Sequence, residues 1–347
     1  MKWQKNVAVL KVESADQEDK KGAAYMFKKS VVYVISCIAL ICGTSAYGQE
    51  EWPAQPITLI VPWPAGGVAD FVGRLVAQKI SAPLKQTVVV ENKPGAGTNI
   101  GISTVAHAKK DGYTLLLASS NNVVNKFLFK DLSVDPVKEF RPVSLLVNVP
   151  NILVVNPKIP SKSVTEIINY AKKHPNELTY ASAGNGSPAH MAAELFKSLA
   201  DVEILNVPYK GASPAVSDVM GGRVSMMFTN IPASLGAIQS GRLLALGIGS
   251  KERSPALPDV PTVDEAGLSG YEASAWYGLM APVGTPNQVI EKIQRALDAV
   301  RTTESLDTLR QRGTEPLIST PQEMDVQIDK DMKTYGDLIK RIGVTIQ

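Results

Sequence analysis

Three glycine-rich stretches hold the residue types best suited to cradle a ligand. The first runs Pro62-Trp63-Pro64-Ala65-Gly66-Gly67-Val68-Ala69-Asp70, between an apolar strand pattern and a helical one. Two glycines let backbone approach a bound molecule closely. The unpaired N–H groups at the start of the following helix, reinforced by its dipole, favour an anion. Asp70, in the first turn, either caps that helix or accepts a hydrogen bond from the ligand. The second stretch is Ala183-Gly184-Asn185-Gly186-Ser187-Pro188-Ala189-His190. It formally matches G-x-G-x-x-A, with Glu203 near the ribose-binding spacing, but such a match is a weak dinucleotide signal. Ser187 followed by Pro188 reads better as an N-cap with proline at the first helical position, and so as a second anion-binding helix start. His190 then either contacts the ligand or packs locally. The third stretch, Glu91 to Gly101, has the spacing G-x-G-x-x-x-G, fits neither nucleotide pattern, and reads as a structured turn before a helix.

Polar residues at other strand ends add hydrogen-bonding groups. Ser119, Ser120, Asn121 and Asn122 form one such set, expected to be exposed, and Thr229 and Asn230 another. Both suit a carboxylate or hydroxyl. Tyr209 follows a further strand, and Trp276 reads equally as an aromatic wall or a core residue. Catalytic signatures are missing: there is no G-x-S-x-G elbow and no H-E-x-x-H. The three histidines, His107, His174 and His190, lie far apart without ligand-like partners. The expectation is a binding cleft with no metal, no cofactor and no enzymatic role.

The elements that must position these loops alternate. Strand patterns cover Ile57–Val61, Thr87–Val90, Tyr113–Ala118, Asn151–Val155, Leu178–Ala181, Ile204–Val207, Val224–Phe228 and Leu243–Ile248. Helical patterns cover Val68–Ile80, the capping box opened at Ser163, His190–Leu199 and Ala215–Met220. Thr285-Pro286 and Thr320-Pro321 open two longer helices that close the chain. This alternation is the pattern of α/β layers with largely parallel sheets.

Charge and cysteine usage separate a leader from a body. Of 36 basic and 33 acidic residues, seven and four fall in residues 1–48, leaving a body of 29 against 29. Both cysteines, Cys37 and Cys42, are also in the leader. Lys28 and Lys29, the apolar run Val31–Ile41 and the small residues through Ala46 and Gly48 have the order of a secretory signal peptide. The run is short of the roughly 20 residues that a membrane span needs. Met26 opens a more usual signal peptide than Met1, so residues 1–25 read as an over-called start. A neutral body lacks the basic face that nucleic acid demands. A body without cysteine has no disulfide, thiolate-metal or thiol-nucleophile chemistry.

Eight motifs in order, from Trp52 almost to the C-terminus, resemble the Bug/TctC family of extracytoplasmic solute-binding proteins of tripartite tricarboxylate transporters. They are Trp52-Pro-x-x-Pro56-Ile; the Val61–Asp70 loop; Val90–Gly97 with Asn99 and Gly101; Asp111–Leu115; Gly184–Ser187 with His190; Val207–Gly211; Leu257–Gly267; and Trp276–Pro282. Thr98 departs from the pattern, standing where the family usually has a third glycine, and Val68-Ala69 replaces a commoner polar or proline pair. The resemblance implies a two-lobed periplasmic binding protein of α/β class. Its lobes would close like a clamshell across two crossovers, lobe one being 49–150 with 272–347 and lobe two 151–271. It implies a small-carboxylate ligand met by Trp63, Ala65, Gly66, Gly67 and Asp70. The remaining contacts would be Ser119, Ser120, Asn121, Gly184, Asn185, Gly186, Ser187, His190, Tyr209, Thr229 and Asn230. A monomer in the periplasm delivering to membrane permease subunits is expected. A sensor subunit for the same ligands, or an enzyme using the Gly184–Ala189 loop, are the alternatives.

Overall fold

Apolar runs bounded by proline and glycine become buried strands, and most are followed by a helix that packs on the sheet. A computed structural model of the chain describes residues 51–343, so the leader expected over residues 1–48 lies outside them. Residues from Trp52 on form one compact unit. The first half of its sheet has β1 (Ile57–Val61) between β2 (Val88–Asn92) and β3 (Thr114–Ser119), all parallel. The helices that follow these strands are α1 (Val68–Leu84), α2 (Asn99–Ala106) and α3 (Ser120–Leu128). The other half has β5 (Thr179–Ser182) parallel to β6 (Leu205–Pro208) and β7 (Met226–Asn230). Its helices are α4 (Val164–Lys173), α5 (Pro188–Ala200), α6 (Ala212–Met220) and α7 (Ile231–Gln239).

Two long strands join the halves, and the sequence pattern hid most of both. β4 (Phe140–Val155) continues well upstream of the expected Asn151 start. Its first part pairs with β9 (Ser274–Pro282), its last with β7 and with β8 (Leu244–Ile248), all antiparallel. β9 also runs antiparallel to β3. The sheet is therefore mixed rather than largely parallel. One strand carries the chain out of the first half and its neighbour brings it back, so the two must run in opposite directions. Gly249 sits at this crossing. Its N–H donates to the Asn151 carbonyl at 2.7 Å, and its own carbonyl accepts from Ala273 N–H at 2.8 Å. A Cβ there would lie 2.3 Å from the Ala273 carbonyl oxygen, so only glycine fits.

Strand alternation sends successive side chains to opposite layers. Ile57, Leu59 and Val61 pack under α1 and α8 (Asn287–Ala296). Ile60, Leu116 and Ala118 face α2, α3 and α10 (Pro321–Ile342). In the second half Tyr180 and Phe228 face α4 and α5, while Ala181 and Met227 face α6 and α7. Two short elements, α9 (Thr303–Gln311) and β10 (Glu315–Pro316), lead into α10, with β10 on β4. The helix start expected at Thr320 forms with Thr320 as N-cap, and Glu323 completes a capping box. The one expected at Thr285 does not. Thr285 Oγ1 donates to the Pro282 carbonyl, and α8 begins after Pro286 without a side-chain cap. No helix among the described residues is long and apolar enough to cross a membrane.

Candidate functional site

All six parallel strands end at one place. The loops leaving β1, β2, β3, β5 and β7 and the start of α6 after β6 line a cavity of about 500 Å³. Ligands in open α/β sheets collect at these carboxyl ends. The wall contains no Asp, Glu, Lys, Arg or His. Attraction for an anion there would have to come from backbone. Helix starts at Ser119 (α3), Ser187 (α5) and Asn230 (α7) have side-chain caps, but those at Gly67 (α1), Thr98 (α2) and Gly211 (α6) have none. No side chain occupies the first-turn N–H groups of α1 and α6, which suits an anion, whereas at α2 the Asn99 N–H already donates to the Ala96 carbonyl.

Half of the expected residues stand on this wall: Trp63, Ser119, Asn121, Asn185, Gly186, Ser187, Thr229 and Asn230. Ser119 and Thr229 are buried rather than exposed, because the strand ends run straight into helices α3 and α7. Ala65, Gly66 and Gly67 lie beyond Pro64, exposed and off the wall. Ser120, Gly184, His190, Tyr209 and Asp70 are off it as well, and for most of these the structure shows another task.

Asp70 braces the first loop. Its carboxylate accepts from Gly66 N–H at 2.9 Å, Arg74 Nε at 3.0 Å and Asn92 Nδ2 at 3.0 Å. Burial raises its pKa, but the bonds from Arg74, Gly66 and Asn92 outweigh that and hold it below the usual carboxylate range. Both oxygens are thus committed to protein donors. Arg74 is paired with Asp70 and also donates to Asn92 Oδ1. His190 shapes the second loop. Its Nδ1 accepts from Gly186 N–H at 3.1 Å, so the proton resides on Nε2. Burial depresses its pKa against the pull of Glu194, which keeps the ring neutral. Tyr209 turns away, donating to Asp218 Oδ2 at 2.7 Å. Ser120 is buried in the first turn of α3.

Other wall residues escaped sequence reasoning. Trp276 goes to the core, its Nε1 donating to Asp331 Oδ2 at 2.7 Å. Strand alternation then gives the wall to its neighbour Tyr277, whose ring meets Trp63 edge-on at 5.2 Å. Burial pushes the Tyr277 hydroxyl up to about 12, so it remains a donor. Recognising β9 as a strand would have pointed to Tyr277. Asn125 in α3, Asn151 in β4, Thr98 and Phe129 also line the cavity. No pattern marks single residues of this kind. Among the described residues no group of three or more His, Cys, Asp or Glu could hold a metal ion.

A cleft at the shared strand ends of two α/β halves joined by crossing strands defines a two-lobed periplasmic-binding-protein fold. Residues 72–344 match the family model described as "Tripartite tricarboxylate transporter family receptor". The chain belongs to that TctC family of solute-binding proteins. It is 36% identical to protein BugT of Bordetella pertussis over 318 residues, 90% of this chain and 98% of BugT. A solved structure from R. palustris, Rpa4515 with adipate, superposes with TM-score 0.76 at 34% identity, covering 85% of this chain and 99% of the other. MatC from Rhodopseudomonas palustris with bound malate gives 0.72 at 32% identity, covering 83% and 100%.

Proposed function

We propose that this chain is a periplasmic solute-binding protein that closes two lobes on a small organic carboxylate and delivers it to tripartite-transporter permease subunits. The observation that carries the reading is a cavity without one charged side chain, with the starts of α2, α3, α5, α6 and α7 at its wall, those of α2 and α6 without a side-chain cap, and the uncapped start of α1 exposed just beyond Pro64. Such a site suits an anion, whose charge would be met by backbone N–H groups. Relatives solved with adipate and with malate support the carboxylate class. The lobes are assigned as 49–150 with 272–347 and 151–271, exchanging at Pro150/Asn151 and next to Ala273, where β4 and β9 cross. Ligand contacts are assigned to the eight expected wall residues together with backbone N–H groups at Gly67 and beyond as the lobes close. Residues 1–48 are assigned as the export signal that sends the body to the periplasm.

Isothermal titration of the body with mono-, di- and tricarboxylates, adipate and malate included, tests this. Binding should give heat and a thermal upshift. Ligand at a hundredfold excess over Kd adds about 2.7 kcal/mol of stability. No heat and no upshift with any member would overturn the proposal.

A further inference from the structure

Two side chains in the cavity offer the ligand the wrong polarity for a carboxylate. Asn125 is 2% exposed, and its Nδ2 is held by Gly97 O at 2.7 Å, Asn99 Oδ1 at 2.9 Å and Thr98 Oγ1 at 3.2 Å. A carbonyl oxygen accepts only, so the NH2 group must be the one facing Gly97. The carboxamide oxygen therefore points away from that loop. Asn151 is 5% exposed and is fixed the same way, its Nδ2 donating to the Ala273 carbonyl at 3.3 Å. Neither Oδ1 receives a donor among the described residues. The unpartnered side-chain atoms sealed from solvent there belong to Trp52, Ser182, Asn206 and Ser274. The two asparagine oxygens are thus unpartnered yet open, and the space they open onto is the cavity both residues line. The Thr229 hydroxyl, on a residue 2% exposed, stands on the same wall without a partner among the described residues and can rotate to donate or accept.

The placement of Asn125 is held at a cost. Thr98 adopts φ +85°, a conformation that side chains other than glycine's rarely take, and its hydroxyl is one of the acceptors on Asn125 Nδ2. Strain of this kind persists where the surroundings enforce it, often at ligand sites.

We infer that the ligand carries a hydrogen-bond donor (hydroxyl, ammonium or amide N–H) beside its carboxylate, and that Asn125 and Asn151 select for it through their side-chain oxygens. This rests on the cleft being a carboxylate site. An unsubstituted diacid would set lone pairs against these oxygens or leave them unpaired once water is expelled. A site built to receive a donor discriminates strongly against the analogue that lacks one.

The test is isothermal titration of the purified body with matched sets: succinate, malate and aspartate, then glutarate, 2-hydroxyglutarate and glutamate. The expected result is that, in at least one set, a donor-bearing member binds roughly tenfold or more tighter than its unsubstituted match. A smaller margin in both sets overturns the inference while leaving the carboxylate reading intact. Absence of binding throughout, with adipate and citrate also silent, overturns both. Asn151→Leu, checked for folding by thermal melting, should shrink the margin in the favoured set. Should that variant and Asn125→Ser both fold and keep the margin, the assignment to these two residues falls. The wild-type comparison decides the ligand class whether or not either variant folds.

Discussion

At the scale of single residues, Gly66 and Gly67 look alike in the sequence and differ in the structure. Gly66 has φ +87°, so any side chain there strains the backbone even though nothing lies within 4 Å of the added carbon. Gly67 has φ −84°, and a Cβ there would meet nothing nearer than the Pro64 carbonyl oxygen at 3.9 Å. Gly67→Val is therefore expected to melt close to the wild type. It should nonetheless raise Kd by at least about tenfold, a loss of ~1.4 kcal/mol. Its branched side chain would stand over the uncapped start of α1, where the bound anion is proposed to come. Thermal melting and titration on the same sample check this. Normal binding by the variant would place the ligand away from that helix start. Asp70 shapes the loop through bonds within the protein. Its carboxylate ties Gly66, Arg74 and Asn92 together across two elements. The sequence left open whether Asp70 caps the helix or meets the ligand, and the structure gives its carboxylate a further role as the brace of the loop. No local pattern shows that Asn92, 22 residues on, is waiting beside it.

At the scale of elements, what the sequence made legible follows from periodicity. Short parallel strands such as Ile57–Val61 are apolar but for a single threonine because both faces are largely buried, and their boundaries were readable from proline and glycine. Helix starts were readable where a side-chain cap makes the bond, as at Ser163, Ser187 and Thr320. β4 and β9 were not. β4 holds prolines at 142 and 150 and polar Ser144, Asn148 and Asn151, so its pattern looks broken. Of these, Asn151 serves the crossing between halves, while Ser144 accepts from Ser319 N–H and Asn148 donates to Glu315, both on the segment that leads into α10. Two of the wall residues missed in the sequence, Asn151 and Tyr277, sit on these two strands. The same region contains a pH-sensitive contact. α10 docks on β9 through Asp331, which accepts from Trp276 Nε1 and from Gln327 Nε2, with Lys330 and Glu272 nearby. Burial raises the carboxyl to about 6 from an ordinary 3.8, the two hydrogen bonds and Lys330 countering in part. Between those values the folded protein keeps a proton that the unfolded chain has lost. The contribution of this group to stability therefore falls as pH rises from about 4 to about 6 and is flat above. Asp331→Asn removes the ionisation and keeps an acceptor for Trp276. Denaturant unfolding at pH 4.5 and 7.5 should show the variant gaining on the wild type at the higher pH, on the order of 2 kcal/mol. An equal difference at both pH values would mean that Asp331 titrates normally.

At the scale of the whole molecule, charge works locally. The body carries 29 basic and 29 acidic residues, so no net field gathers anions. The cavity wall carries none of them. If the carboxylate is met by backbone N–H groups at helix starts, its attraction is short-ranged and develops inside a cleft that excludes counterions as it closes. Salt screens interactions between separated exposed charges, with a Debye length of about 10 Å at 0.1 M and about 3 Å at 1 M. It has little to screen in an uncharged, closed cleft. Affinity for the best carboxylate should therefore change less than about threefold between 0.05 and 0.5 M sodium chloride, taken as order-of-magnitude bounds on the same screening argument. Titration at several salt concentrations, with chloride replaced by a bulkier anion as a control for competition, measures the slope. A steep decline that persists in the control would mean that a lysine or arginine swings onto the ligand. Arg74 is one candidate, since its guanidinium lies beside the first loop and is half exposed. Charge on that arginine would then have to leave Asp70, and the loop it braces would loosen as ligand bound. A flat slope instead leaves Asp70 and Arg74 paired in both states, with the helix starts alone holding the anion.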